Sequence, residues 1–183
     1  MPSPTMKNFI KELPWHPTKR WSKRKMSDIK KVVIHQTASP AYTDGPKDIF
    51  NVNNYFIKPG NHVSPTGCPH FCYHIAIDDD GIVYWCDEFT DITWHCKNYN
   101  SESIGIVLIG SFDGPSFKGK DKNPTKAQIN SLVQVLNSIV LNLFELESIK
   151  KSDIYGHCEL DKLNKENCPG DGVMQFLKQW RLS

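Results

Sequence analysis

The feature that most constrains this chain is a set of three metal-ligand side chains split between its two ends. His35 closes the β-branched run Lys31-Val32-Val33-Ile34, while His157 and Cys168 stand 11 residues apart in Gly156-His157-Cys158-Glu159 and Cys168-Pro169-Gly170. Two imidazoles and a thiolate suit zinc, and three protein ligands leave a fourth position open for water. Each residue also has an ordinary reading. A single histidine is usually just hydrogen-bonded, and the alternative for Cys168 is a buried structural thiol. His35 gains weight from its place at a strand end beside a loop, where sites concentrate. Cys168 gains it from Pro169-Gly170, a rigid turn that can aim a thiolate. If the three converge, the chain is one domain whose two ends build a zinc site, and the open position does hydrolysis.

The pattern between those ends is that of an α/β domain. The 183 residues fit one domain with a substantial core. Lys31–His35 is a buried strand. A helix follows from Pro46, with Ile49, Val52, Asn53 and Phe56 on one face, and Pro59-Gly60 ends it. Phe71–Ile77 and Ile82–Cys86 flank the turn Asp78–Gly81, a hairpin signal. Ile104–Gly110 is apolar and therefore a central strand. The clearest helix has Thr125 as its N-cap and Gln128 three residues later, a capping box. Its apolar residues Ile129, Leu132, Val133, Leu136, Ile139, Val140 and Leu143 keep helical spacing to about Leu146. Asp153–Gly156 is a short strand leading into His157. The closing helix, about Gly172–Arg181, buries Val173, Phe176, Leu177 and Trp180. Strands interspersed with helices, without an internal repeat, give a single domain with a mixed sheet.

Charge is unevenly placed. Residues 1–31 carry nine Lys/Arg against two acids, whereas residues 32–183 carry thirteen against eighteen. Residues 1–30 therefore read as a basic, irregular arm with a helical turn around Asn8–Leu13, and residues 31–183 as the body. An anionic cell-wall polymer suits such an arm on charge, and a solvated lead-in is the ordinary alternative. No nucleic-acid partner is expected, because no recognised module follows the arm. No apolar run is long enough to span a bilayer, and Met1–Lys7 lacks the apolar segment of a secretory signal. The chain should fold in the cytosol with its six cysteines mostly reduced, as metal ligands or buried thiols. Cys68-Pro69-His70-Phe71-Cys72-Tyr73-His74 is a competing ligand cluster, but no second cluster matches it to make a zinc finger.

Several of these segments together resemble one family, the zinc N-acetylmuramoyl-L-alanine amidases shared by phage endolysins and animal peptidoglycan-recognition proteins. Val33-Ile34-His35-Gln36-Thr37-Ala38-Ser39 looks like the family's opening motif. Tyr73-His74-Ile75-Ala76-Ile77 with Asp80-Gly81 is similar to its Tyr-His strand and following turn. Trp94-His95, Asn98–Asn100 and Ser103-Ile104-Gly105-Ile106 resemble its middle block. Thr125-Lys126-Ala127-Gln128 resembles its helix start, and Gly156-His157 with Cys168-Pro169-Gly170 its closing motif. The resemblance runs from about Val32 to Trp180.

It implies a mixed sheet of about six strands flanked by helices around one catalytic Zn2+. His35, His157 and Cys168 fall on the ligand positions, Tyr73 on a tyrosine that assists catalysis, and His95 on a histidine near the substrate groove. With the metal polarising the scissile carbonyl, Tyr73, His95 or Lys165 would donate to the developing oxyanion. Two departures stand out. Glu166 occupies the place where phage enzymes often carry a catalytic lysine, leaving Lys165 as the nearest substitute. Val107 occupies the place of a glutamate used by cell-wall-recycling relatives, which leaves Tyr73 as the partner of the metal that the resemblance implies. The implied activity is cleavage of the bond between N-acetylmuramic acid and L-alanine in peptidoglycan by a monomeric endolysin. Such a protein would be held in the host cytoplasm until it is released to the wall. The alternative is a non-catalytic peptidoglycan-recognition module of the same fold.

Overall fold

A computed structural model describes residues 6–39, 45–112, 123–146, 149–163 and 167–183. Six strands form one mixed sheet: β1 (Met6–Asn8), β2 (Lys31–Gln36), β3 (Ile75–Ile77), β4 (Val83–Trp85), β5 (Ser103–Leu108) and β6 (Ile154–Gly156). Their spatial order is β1-β4-β3-β5-β2-β6. Only β3 and β4 run antiparallel. They are joined by a turn in which the Ile82 amide donates to Asp78 Oδ1 at 2.7 Å and Gly81 takes a φ of 81°, a backbone region open to glycine. The other neighbours are parallel, so helical or irregular segments must carry the chain back between them.

Four helices cover the sheet: α1 (Gly45–Ile57), α2 (Lys126–Val140), the single turn α3 (His157–Leu160) and α4 (Asp171–Leu182). β5 is apolar because both its faces are covered. Ile104, Ile106 and Leu108 join Val32 and Ile34 against Leu132, Leu136 and Ile139 of α2 and Val173 and Leu177 of α4. Val107 and Ile109 face the other way, into a second core with Ile49 and Phe56 of α1. The predicted capping box is formed: the Gln128 amide donates to Thr125 Oγ1 and the Thr125 amide to Gln128 Oε1, each at 3.0 Å.

Three expectations change. The strand expected over Phe71–Ile77 is regular only at Ile75–Ile77. Residues 71–74 bend, so Cys72 and Tyr73 enter the same core instead of alternating across a sheet. α2 stops at Val140 rather than near Leu146, because Asn142 and Glu145 adopt φ of 58° and 57° and turn the chain, leaving Leu141 and Leu143 exposed. The largest change concerns the first 30 residues. Their described part is not a free arm. Met6–Asn8 pairs with Val83–Trp85 as the edge strand, and Leu13 and Trp21 lie in the second core. Several of the positive charges are tied to the body. The Lys19 amine bonds the Thr66 and Gly67 carbonyls, Arg24 is buried, and Lys23 pairs with Asp91.

Candidate metal centre and its cleft

Sheet register brings the two histidines together. β2 and β6 are parallel with Ile34 opposite Gly156, so His35 and His157, one residue further along each chain, emerge side by side. Their ring centroids are 4.5 Å apart. Cys168 arrives from the loop before α4 and is held there by backbone contacts. The Cys158 amide donates to the Cys168 carbonyl at 2.7 Å, and Gln36 Nε2 donates to the Asn167 carbonyl at 3.0 Å. The α3 turn that presents His157 is pinned by Glu159. Its Oε2 accepts from the Gly156 amide at 2.8 Å, and Arg181 grips both carboxylate oxygens at 2.9 and 2.6 Å.

One ligand atom from each of His35, His157 and Cys168 lies within 4.8 Å of the others. His35 Nδ1 and Cys168 Sγ are 3.8 Å apart. Zinc–nitrogen bonds of about 2.0–2.1 Å and a zinc–sulfur bond of about 2.3 Å at tetrahedral angles separate N and S by roughly 3.5 Å. The donor set and its spacing therefore fit zinc with little movement.

Tyr73 stands over this centre, its ring centroid 4.9 Å from that of His35, wedged against Phe56 and Phe71. Burial, and secondarily the nearby Cys168, pushes its phenol well above the usual value, so Tyr73 remains an O–H donor through the neutral range. His95 is also brought in, with Nδ1 3.1 Å from His35 Nε2 and the two rings perpendicular. Burial, reinforced by His74, holds it well below the ordinary histidine value, and it is neutral. Its Nε2 faces the hydroxyl and carbonyl of Ser103. Both ring nitrogens thus have partners within the protein, which takes His95 away from the oxyanion-donor role expected of it. Lys165 and Glu166 lie outside the described residues. Val107 sits opposite His35 in the sheet, fully buried.

The rival cluster at Cys68–His74 does not assemble as ligands. Asp87 Oδ1 accepts from Trp21 Nε1 at 3.0 Å and lies 2.9 Å from His70 Nδ1. Burial drives the histidine down to about 4 and pushes the carboxyl well up, so His70 is neutral and this contact is a hydrogen bond rather than an ion pair. His74 accepts at Nδ1 from the Gly105 amide at 3.0 Å and bonds the Asp91 carbonyl, and burial brings it down to about 3. Both are structural histidines. None of the six cysteines, all among the described residues, is in a disulfide.

His35, His157 and Cys168 line an open cleft of about 1260 Å3, larger than the ~300–1,000 Å3 of a typical small-molecule pocket. Three of its walls come from loops that the sequence suggests for such a groove: the segment after His35, the Asn61–His70 loop through His62 and Val63, and Trp94–Asn98. One was missed. The α1 face carrying Asp48, Asn51, Val52 and Tyr55 lines the opposite side, and Tyr55 hydrogen-bonds His62 at 2.9 Å on the rim. The signal was present in the helical spacing of those residues, which form a stripe beside the buried Ile49 and Asn53.

A sequence model of the family described as N-acetylmuramoyl-L-alanine amidase matches residues 25–171. Peptidoglycan-recognition protein SC2 of Drosophila melanogaster is 25% identical over 148 residues, covering 81% of this chain and 72% of that protein. An endolysin of Escherichia phage T7 is 39% identical over 69 residues, 37% of this chain and 44% of the endolysin. Among solved structures, the Drosophila peptidoglycan recognition protein SD superposes with a TM-score of 0.74 at 19% identity, covering 96% and 95% of the two chains. The amidase LysCS of Clostridium intestinale gives 0.63 at 16% identity, covering 97% and 96%. These likenesses establish the same fold.

Proposed function

Because the chain belongs to the N-acetylmuramoyl-L-alanine amidase family, we propose that it is a zinc-dependent hydrolase. Its target is the amide joining the lactyl group of N-acetylmuramic acid to L-alanine in peptidoglycan. The observation that carries this reading is the convergence of His35, His157 and Cys168 on the floor of an open cleft, with the donor types and spacing that zinc takes. Zinc bound there would lower the pKa of a water to roughly 7 and polarise a carbonyl.

The residues of the chain supply the rest. His35 at the end of β2, His157 just after β6, both buried, and Cys168 from the loop before α4 would hold the metal at the C-terminal ends of these two strands. Tyr73, its ring centroid 4.9 Å from that of His35, supplies an O–H donor beside these residues that would stabilise charge developing on the scissile carbonyl oxygen and return a proton to the leaving amine. The open cleft, about 1260 Å3 in volume, has room for a polymer: glycan and stem peptide would extend away from the ligands between α1 and Trp94–Asn98.

The similarity to a phage endolysin supports a lytic role, and we propose with it release from the host cytoplasm to the wall. The recognition proteins among the relatives support a second reading, in which the cleft only binds peptidoglycan. The intact three-ligand set favours hydrolysis. Metal analysis of the purified protein, paired with mass spectrometry of digested muropeptides, decides between them. One zinc per chain is expected, with glycan bearing the free carboxylate of N-acetylmuramic acid and stem peptides starting at L-alanine. Binding without cleavage leaves only the recognition reading.

A further inference from the structure

The hydrogen bonds around His95 have a single direction, and it ends at His35. Ser103 Oγ lies 2.7 Å from the Tyr99 carbonyl oxygen. A carbonyl only accepts, so the hydroxyl proton is committed there. Ser103 then offers His95 Nε2 nothing but lone pairs, from its Oγ at 3.2 Å and its own carbonyl at 3.4 Å. His95 Nε2 must carry the ring proton, and His95 Nδ1 is an acceptor. That Nδ1 faces His35 Nε2 at 3.1 Å, so His35 Nε2 donates. The lone pair of the His35 ring falls on Nδ1, the atom 3.8 Å from Cys168 Sγ.

We propose that His95 is a positioning residue: it locks His35 in the Nε2–H tautomer and orients its ring so that Nδ1 is the ligand atom before any metal arrives. The proposal rests on the zinc reading of this site. Metal-bound histidines ordinarily give their second N–H to a carboxylate, a carbonyl or water. Here the acceptor is another imidazole, itself backed by Ser103 and the Tyr99 carbonyl.

The fold holds the His95 ring in place from two sides. Asn100 Oδ1 accepts from the His95 and Cys96 amides at 3.0 and 2.7 Å, fixing the backbone that carries the ring. The Asn100 carbonyl is in turn held by Arg24 at 2.6 Å. On the sheet side the ring rests on Gly105, where a Cβ would stand 2.7 Å from His95 Cγ. A side chain at position 105 would have to displace the ring. Gly105 therefore serves as the seat of the relay.

The test uses the full chain and two readouts. Long-range 15N–1H NMR on the metal-free protein reports the tautomer of His35 directly. The Nε2–H form is expected, and a proton on Nδ1 overturns the proposal without any variant, whether or not the substitutions fold. Zinc affinity is then measured by competition with a chromophoric chelator. His95→Leu removes the acceptor and is expected to bind zinc 10–100-fold more weakly, the size of effect typical of such outer partners. His95→Asn keeps an oxygen where Nδ1 stood and is expected to restore affinity to within about threefold of wild type. Equal affinity and an unchanged tautomer in a folded His95→Leu protein overturn the proposal. Failure of the wild-type chain to bind zinc overturns the zinc reading instead, and the tautomer result still decides what His95 does.

Discussion

Replacing Tyr73 with Phe removes one oxygen and leaves the packing almost untouched. The ring of residue 73 is 7% exposed and is held by His35 at 4.9 Å, Phe56 at 5.8 Å and Phe71 at 5.9 Å between centroids. Phenylalanine fills the same space, so fold and zinc content should be unchanged. What is lost is an O–H donor beside the metal ligands. Removing one donor to a developing oxyanion costs about 3 kcal/mol of transition-state stabilisation, which is roughly 100-fold in kcat at about 1.4 kcal/mol per decade. The loss should fall on kcat rather than on KM, because the contact strengthens as charge develops. The pH profile gives a second check. Burial raises the Tyr73 phenol above its ordinary value, so its protonated form persists further into alkali. No alkaline fall in activity below about pH 10 should belong to it. Turnover of a soluble muropeptide, followed by release of the L-alanine amine, is the assay. A Tyr73→Phe rate within threefold of wild type, at equal zinc content, would refute the donor role.

Cys168→Ser replaces the thiolate of the ligand set; zinc content by mass spectrometry and wall lysis should both fall below a tenth of wild type. Deleting residues 6–24 should unfold the protein or lower its thermal midpoint sharply, because it strips edge strand β1 and the buried Leu13, Trp21 and Arg24; calorimetry of the truncated chain checks this. Binding of the N-terminal charges to anionic wall polymer is therefore better probed by Lys7, Lys11, Lys25 and Lys30→Gln, all exposed. These changes should weaken wall binding at low salt and flatten its salt dependence. Stability should fall in acid. His74 drops from an ordinary 6.5 to about 3 in the folded state, so its neutral form contributes fully above pH 6.5 and is lost as pH falls towards 3. That amounts to about 2 kcal/mol by pH 5, and His70, at about 4, acts in the same direction. Asp87, raised by burial, works in the opposite sense and offsets part of this. Unfolding midpoints between pH 7 and 5 measure the sum.

Local chemistry determined much of this protein from the sequence alone. The apolar run at Ile104, the Thr125–Gln128 capping box and the turn at Asp78–Gly81 specify their own backbone conformations, because each depends on neighbours a few residues away. The ligand set was legible for a related reason: only a few residue types bind zinc, and His35, His157 and Cys168 each lie beside an ordered strand or a rigid turn. Other features depend on partners distant in the chain. The basic segment reads as solvated because its charges are counted one by one. Its attachment depends on Trp21 reaching Asp87 and on Arg24 reaching Phe89 and Asn100, 65 residues or more away. The bend at 71–74 that turns Tyr73 into the core is set by tertiary packing, since its residues favour a strand. The role of His95 belongs to the same class. Its residue type marks it as a possible donor, but the direction of its hydrogen bonds is decided by Ser103, Tyr99 and Gly105, and only the folded chain places those three around its ring.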